Sequence, residues 1–255
     1  MMTVYELYRQ LEERIPRTLS CEWDNDGLMV CGGDRPVKRL LIALDITSAV
    51  VDAAVSGGYD LVISHHPLVF RPLKAITPEI PVANKVIRLL TANIAAMSFH
   101  TRLDAVCGGV NDTLAAALGV KDTVPFGNDG ETIGRIGRLE SPMTLEDFAA
   151  LVKRVTGVPF VLATNAGRPV ERVAILGGSG SSDVAAAERA GADTYLSGEL
   201  AHHHLTDAPE RGMNLVAAGH FHTENPVCET LKRMLEEIDP SIEADIINSN
   251  PIMVL

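Results

Sequence analysis

Short apolar runs alternate with amphipathic, alanine-rich segments along most of this chain of 255 residues. In the first half we predict, in order, a strand at 40–44, a helix at 48–56, a strand at 60–64, a helix at 84–92, a strand at 94–99 and a helix at 111–118. This alternation is typical of βαβ units, in which successive strands run parallel and helices cross over between them. The pattern therefore predicts an α/β protein with a mainly parallel sheet and helices on both faces.

A second series of the same kind begins at Val170. VERVAI (170–175) lines up with VKRLLI (37–42), and FHT (221–223) lines up with FHT (99–101). Agreement in the same order at three strands favours a duplicated, intertwined βαβαβ unit. The alternative is that two unrelated α/β segments share letters by convergence. We predict a first half at 1–125 and a second half at 126–255 that together form one compact fold.

The composition is that of a globular protein with an acidic surface. Hydrophobic residues make up 46% of the chain and charged residues 22%, and the formal net charge is −11. A negative surface repels phosphate backbones and anionic lipids, which disfavours nucleic acid and membranes as partners. No apolar run reaches the roughly 20 residues of a membrane span. Four widely spaced cysteines without a C-x-x-C pair favour reduced thiols, so we expect a cytoplasmic protein.

The stretch SHHP (64–67) places two histidines at the end of a predicted buried strand. Pro67 has no N–H with which to continue the strand, so we expect His65 and His66 on the turn that follows. Neighbouring side chains point to opposite faces of a strand, but at its tip they diverge only slightly and can serve two ligands side by side. Taken alone, such a pair is more typical of a turn than of a metal site.

Two further strand ends combine histidine with a carboxylate. HTRLD follows the third strand with His100 and Asp104, and GHFHTE follows the corresponding strand of the second series. If the second motif is helical, His220 and Glu224 are at i and i+4 and share one face. Ligands of open parallel sheets bind at the carboxyl ends of the strands, where all these side chains are predicted to lie.

Imidazole and carboxylate without thiolate form a donor set that suits Zn²⁺, Mn²⁺, Fe²⁺ or Co²⁺. The predicted metal ligands are His65, His66, Asp104, His220 and Glu224. Five ligands exceed what one catalytic zinc with an open position takes, and they suit two ions that share a bridging carboxylate and a water. His100 and His222 lie nearby in the sequence and are candidate proton shuttles, because histidine titrates near neutral pH.

Two other motifs have both a structural and a functional interpretation. The triplet His202-His203-His204 is predicted to be a solvated helix face, with lining of the site as the alternative. GGSGSSD (177–183) is neither a P-loop nor a G-x-G-x-x-G motif. It predicts a tight strand-to-helix turn in which Ser or Asp caps the helix, with anion binding as the alternative.

Together these motifs resemble the YbgI-type family of dinuclear-metal proteins, also called GTP cyclohydrolase 1 type 2 homologues. The resemblance covers nearly the whole chain and depends on WDNDGLMV (23–30), ALDIT (43–47), SHHP (64–67), HTRLD (100–104), GGVND (108–112), SGEL (197–200) and GHFHTE (219–224). It implies that the same five residues bind two metal ions and that the chain assembles as a toroidal hexamer whose sites face an internal cavity. Longer members carry an extra domain between the halves, for which this chain has too few residues.

The leading hypothesis is a metal-dependent hydrolase that uses two divalent ions, Zn, Mn or Fe, to activate water. The family label implies a nucleotide or another purine-type ring as the substrate. The alternative from another class is a non-catalytic metal-binding scaffold or regulator that docks partners through a ring. A metallophosphoesterase is a minor alternative, because GHFH (219–222) fits that class but its earlier Asp-x-His and later Gly-Asn-His motifs are missing from the sequence.

Overall fold

The computed structural model describes residues 1–128 and 132–253, and in this part of the chain helices and strands alternate as predicted. The helices are α1 (Val4–Arg14), α2 (Ser48–Gly57), α3 (Pro81–Thr91), α4 (Thr101–Ala105), α5 (Val110–Ala117), α6 (Leu145–Thr156), α7 (Val184–Arg189), α8 (His202–Asp207), α9 (His220–Glu224) and α10 (Val227–Ile238). The strands are β1 (Gly27–Val30), β2 (Arg39–Ala43), β3 (Leu61–Ser64), β4 (Ala95–Ser98), β5 (Lys121–Phe126), β6 (Gly134–Met143), β7 (Leu162–Thr164), β8 (Val170–Ser179), β9 (Thr194–Glu199), β10 (Asn214–Ala217) and β11 (Glu243–Ile246).

Packing divides the described residues into two compact units. The first unit comprises Met1–Leu103 and Cys228–Met253, and the second comprises Asp104–Val227. The chain therefore leaves the first unit and returns to it with α10 and β11, as expected for intertwined repeats. This division by packing does not test where one copy of the duplication ends and the next begins, so the halves 1–125 and 126–255 stay a prediction.

The first unit contains a five-stranded sheet in the order β1-β4-β3-β2-β11. Strands β11, β2, β3 and β4 are parallel, and β1 runs antiparallel to β4 at the edge. All four residues of β3 are buried, so the sheet is covered on both faces, as parallel strands require. On one face Leu41, Val62 and Ala96 pack against Val50 of α2 and Leu89 of α3.

The second unit contains a six-stranded sheet in the order β5-β6-β8-β9-β10-β7. Its central strands β8, β9 and β10 are parallel, whereas β5, β6 and β7 pair antiparallel with their neighbours. The α/β class is thus confirmed, with the strands shared between two sheets of which the second is mixed. Strand β7 begins at Leu162, and Val158 ahead of it is buried in the core cluster of this unit.

The two units repeat one structural detail that identifies the duplication. Asp60 accepts hydrogen bonds at Oδ2 from the backbone N–H groups of Lys38 (2.8 Å) and Arg39 (3.0 Å), just before β3. Asp193 stands at the same point before β9, and its carboxylate accepts from the N–H groups of residues 171 and 172 at 3.1 and 2.6 Å. The strand order β4-β3-β2 likewise matches β10-β9-β8. The predicted repeat is therefore present in backbone pairing as well as in sequence.

The described residues contain no further domain between the two series, in agreement with the prediction. In this part of the chain no helix combines the length and the apolar character that a bilayer crossing needs. The core is aliphatic: Val, Leu, Ile and Ala dominate the buried residues of both units.

Candidate metal centre

Three histidines of the first unit converge where two parallel strands end. His65 and His66 follow β3 directly, and His100 follows β4. Their ring centroids are 4.9 Å (His65–His66), 5.3 Å (His65–His100) and 5.6 Å (His66–His100) apart. One ring nitrogen from each lies within 4.8 Å of the other two, close enough for shared cation binding. The predicted turn position of the SHHP motif is confirmed, since β3 ends at Ser64.

The rings of His65 and His66 are each held at Nδ1. The His65 side chain is fully buried, and its Nδ1–H donates to the carbonyl oxygen of Phe99 at 2.9 Å. His66 Nδ1–H donates to Asp45 Oδ1 at 2.8 Å. Because a proton on Nδ1 leaves the lone pair on Nε2, these bonds select the tautomer that can bind a metal through Nε2.

His100 is held in the same way by a buried carboxylate. Asp24 Oδ1 accepts from His100 Nδ1 at 2.9 Å, and Asp24 Oδ2 accepts from Thr101 N at 3.0 Å and Thr101 Oγ1 at 2.6 Å. Burial would raise the pKa of Asp24, but the hydrogen bonds from His100 and Thr101 outweigh it and lower that pKa to about 2. The carboxylate is therefore ionised at neutral pH and keeps the proton of His100 on Nδ1.

The residues of the first unit fit a divalent cation. Three imidazoles offer borderline nitrogen donors, and their Nδ1 atoms are bonded to oxygen acceptors. Metal-binding histidines in proteins almost always have their second nitrogen anchored on a carboxylate or carbonyl in this manner. The bond to His100 requires a fully buried Asp24 side chain, which a solvated turn would not need. This arrangement favours a metal-binding set of histidines over a chance pair on a turn.

The second unit contributes a histidine and a carboxylate from one short helix. Helix α9 begins after Gly219, which has a φ of 77°, a positive value that glycine adopts readily. The helix carries His220 and Glu224 on one face, as predicted. His220 Nε2 is 3.0 Å from Glu224 Oε2, and His220 Nδ1 is 3.4 Å from Glu199 Oε2. The Glu224 side chain is only 6% exposed, whereas Glu199 is largely exposed.

Glycines of the neighbouring strands make room for α9. A Cβ on Gly178 in β8 would overlap Glu224 Oε1 and lie 2.9 Å from His220 Nε2. A Cβ on Gly198 in β9 would lie 2.8 Å from His220 Cα and 2.8 Å from Thr223 Oγ1. The glycine-rich stretch at 177–183 therefore allows close packing of α9 on the sheet. The predicted side-chain cap at this turn is wrong, because Asp183 makes no cap bond to α7.

The remaining predicted residues occupy defined places. Asp104 lies on α4 and is 8% exposed, and its carbonyl oxygen accepts a bond from Asn111 Nδ2 at 3.4 Å. His222 Nδ1 donates to the Thr156 carbonyl at 3.3 Å. The predicted helix at the histidine triplet is confirmed as α8, where His202 and His203 are exposed.

Sequence reasoning missed the carboxylates that support the histidines. Asp24, in WDNDGLMV, and Asp45, in ALDIT, have no predicted role beyond the family resemblance. A signal for Asp45 was available: it follows β2 by two residues, and β2 is the parallel neighbour of β3. Neighbouring parallel strands end at the same edge of the sheet, so this rule, which predicted His66 at the end of β3, also predicts Asp45 beside it. Asp24 lies in an irregular loop and had no comparable signal.

Fold and site together define an α/β protein whose strand ends carry a histidine and carboxylate set suited to divalent cations. The chain belongs to the Duf34/NIF3 (NGG1p interacting factor 3) family, whose model matches residues 2–251. It is 32% identical over 251 residues to the "GTP cyclohydrolase 1 type 2 homolog" of Clostridium perfringens, covering 96% of this chain and 94% of that protein. The predicted family resemblance is thus confirmed.

Solved structures agree with this assignment. The Staphylococcus aureus protein SA1388 matches with a TM-score of 0.88 and 27% identity, over 100% of this chain and 99% of that one. The protein ybgI, described as of unknown function, matches with a TM-score of 0.87 and 28% identity, over 98% of this chain and 100% of that one. The shared fold extends over the whole length of these chains.

Proposed function

We propose that this protein binds two divalent cations per chain and uses them to hydrolyse a small molecule. The proposed metal ligands are His65, His66, Asp104, His220 and Glu224. The observation that carries the proposal is the anchoring of Nδ1 on His65 and His66, which leaves the Nε2 lone pair of each ring to bind a metal ion. In the second unit, the His220–Glu224 pair on α9 offers an imidazole and a carboxylate of the same kind.

Divalent cations in such a centre supply Lewis-acid polarisation of a substrate and activation of water. The chain itself would supply proton transfer and positioning. His100 has its Nδ1 proton held by Asp24, so Nε2 is the atom that would accept and release a proton. His222, which donates through Nδ1 to a carbonyl, is the second candidate for this role.

The substrate proposed is a nucleotide or another compound with a purine-type ring. Support comes from the name of the Clostridium perfringens relative, a GTP cyclohydrolase 1 type 2 homolog. Zn, Mn and Fe are the proposed metals, since the donor set accepts each of them. A cytoplasmic location is supported by the four cysteines, all within the described residues, which form no disulfide.

Metal content and turnover test this proposal on the full chain. Protein purified without chelator should hold two equivalents of metal per chain by elemental analysis, and His66→Ala should lose metal and all turnover while keeping its circular dichroism spectrum. His203→Ala is the matched control, because it removes an exposed histidine of α8 and should change neither property. Full metal content and activity in His66→Ala would refute the assignment.

A non-catalytic scaffold is the second candidate, because the family is described as an interacting factor. In this case the metal centre would stabilise a homo-oligomer, proposed to be a toroidal hexamer, that docks protein partners. A screen of the metal-loaded protein against nucleotides and related ring compounds separates the two candidates. Native mass spectrometry gives the number of chains and metals in the same sample. Two metals per chain with no turnover on any compound would favour the scaffold.

A further inference from the structure

Two exposed aromatic side chains flank the histidine cluster of the first unit. Trp23, the single tryptophan of the chain, is 55% exposed, and Phe70 is 41% exposed. The Trp23 ring lies 6.2 Å from His100 and the Phe70 ring 6.0 Å from it, both edge-on. Tyr5 and Phe160 are exposed as well, but Trp23 and Phe70 differ from them in lying against an imidazole of the candidate site.

The loops that carry this aromatic pair are tied to each other. Asn25 Nδ2 donates to the carbonyl oxygen of Val69, which joins the segment after Trp23 to the residue before Phe70. A backbone bond from Asp24 N to the Cys21 carbonyl oxygen, 3.0 Å long, closes the turn that contains Trp23. The two loops are therefore joined before any ligand arrives, which reduces the entropy that their backbone loses on binding.

The relative orientation of the Trp23 and Phe70 rings determines where a planar ligand could stack. The Trp23 and Phe70 centroids are 6.2 Å apart with an interplanar angle of 75°, so the two rings already touch edge to face. This contact leaves no space for a third ring between them. A ligand ring can instead stack on the exposed face of the indole.

We propose that Trp23 and Phe70 form a stacking subsite for a planar heteroaromatic ring and place that ring against His100. The proposal rests on the proposed function in taking His100 and its neighbours as the reacting site. An indole face binds any heteroaromatic base by stacking, and His100, whose ring proton lies on Nδ1, can accept a hydrogen bond at Nε2 from a ring N–H of the ligand. Trp23 and Phe70 thus position the substrate and select for its ring.

The single tryptophan allows a direct test on the metal-free full chain. Trp23 fluorescence, excited at the red edge of the indole band, is titrated with guanosine 5′-monophosphate and with ribose 5-phosphate, which lacks the ring. The nucleotide should quench the emission saturably, and the sugar phosphate should not. Phe70→Ala should weaken nucleotide binding by about two- to tenfold, because the indole loses the edge-to-face contact that orients it. Phe70→Tyr should keep the affinity.

Two further variants control this experiment. Tyr5→Ala removes another exposed aromatic side chain of the first unit, 45% exposed, and should leave the titration unchanged. Trp23→Phe and Trp23→Ala are compared by calorimetry, where the first should retain binding and the second lose it. Quenching that rises linearly without saturation, or equal affinity in Phe70→Ala and the parent chain, would overturn the subsite.

These experiments distinguish a failure of the stacking subsite from a failure of the proposed hydrolase function. Saturable, Phe70-dependent quenching in a protein that turns over no substrate would support the subsite and refute the hydrolase. Turnover of a nucleotide with an unchanged KM in both Phe70→Ala and Trp23→Ala would support the hydrolase and refute the subsite.

Discussion

Asp24 fixes the protonation pattern of His100: its buried Oδ1 lies 2.9 Å from His100 Nδ1 and accepts the ring proton. The second oxygen is occupied by the N–H and hydroxyl of Thr101, so the carboxylate cannot rotate away without losing two more bonds. With a pKa lowered to about 2, Asp24 stays ionised at neutral pH and accepts the proton on Nδ1, so Nε2 is the ring nitrogen not engaged in this bond.

Replacing Asp24 by Asn should reverse this pattern. The amide N–H of Asn can donate to Nδ1, which moves the ring proton of His100 to Nε2. We expect nitrogen NMR of the metal-free protein to show the tautomer change, and turnover to fall about a hundredfold or more if His100 transfers the proton. Asp34→Asn, at an exposed carboxylate that accepts from Tyr5 N, should change neither. An unaltered tautomer in Asp24→Asn would contradict the role of the carboxylate.

Asp45 should control metal affinity through His66. Its Oδ1 accepts from His66 Nδ1 at 2.8 Å, and loss of such an anchor typically weakens metal binding about 10–100-fold. Asp45→Asn is therefore expected to retain the fold and bind metal more weakly in a chelator competition assay. Asp52→Asn is the control, because Asp52 pairs with Arg88 on the surface of the same unit. Equal affinities for the two variants would show that Asp45 does not support the site.

Gly178 should tolerate no side chain. Its φ is 65°, and a Cβ there would overlap Glu224 Oε1. Gly191 has a φ of 81° with nothing within 4 Å of a Cβ, so Gly191→Ala measures backbone strain alone, about 1–2 kcal/mol. Gly178→Ala should lose about 1–3 kcal/mol more in the free energy of unfolding, because α9 must shift. Urea denaturation of both variants gives this difference, and identical losses would exclude the steric explanation.

Arg102 holds the segment that carries His100. The guanidinium is fully buried, donates from Nε to Asp26 Oδ2 at 2.9 Å and pairs with Glu12 at 3.1 Å. Arg102→Met leaves the Asp26 carboxylate buried without its cation, which should cost about 3–5 kcal/mol of stability. Arg88→Met removes the exposed partner of Asp52 and should cost less than about 1 kcal/mol.

A double variant shows whether the lost charge pair causes the effect. Adding Asp26→Asn to Arg102→Met removes the buried negative charge, so the double variant should be more stable than Arg102→Met alone. Thermal or urea unfolding measures four chains: the parent, Asp26→Asn, Arg102→Met and the double variant. Additive losses would mean that the Arg102 side chain contributes by packing alone, for example through its contact with the Phe99 ring.

Strand ends were the part of the site that sequence could predict. The position of His66 follows from local facts, an apolar run that Pro67 stops, and the i, i+4 spacing of His220 and Glu224 follows from helical periodicity. The same local rules predicted the βα alternation. These features depend on residues that are close together in the chain, so the printed sequence contains the information.

The partners of the histidines depend on distant residues and could not be predicted in this way. Asp24 and His100 are separated by 76 positions, and their contact depends on the path of an irregular loop. The division of strands between two sheets was also unforeseen, because short edge strands such as β7 have three residues and too little periodicity to show their direction. Tertiary packing determines the direction of such edge strands and the sheet that they join.

Burial of Cys228 should make stability depend on pH in the alkaline range. Burial, then the charges of Glu229 and Asp45, raise the pKa of this thiol from 9.0 to about 12 in the folded chain. Below pH 9 the thiol is protonated in both states, so its contribution is fully present there. Between pH 9 and about 12 only the unfolded chain loses the proton, and stability falls by up to about 1.4 kcal/mol per pH unit.

Cys228→Ala should remove this part of the slope in urea denaturation measured across the alkaline range. Cys107→Ala is the control, since Cys107 is exposed and its replacement should leave the slope unchanged. Alkylation of the parent chain provides a second measurement: Cys107 should react in the folded protein and Cys228 only after unfolding, because the thiolate is the reactive form. Equal slopes for the two variants, with rapid labelling of Cys228 in the folded chain, would show that the thiol is neither buried nor held in its protonated form.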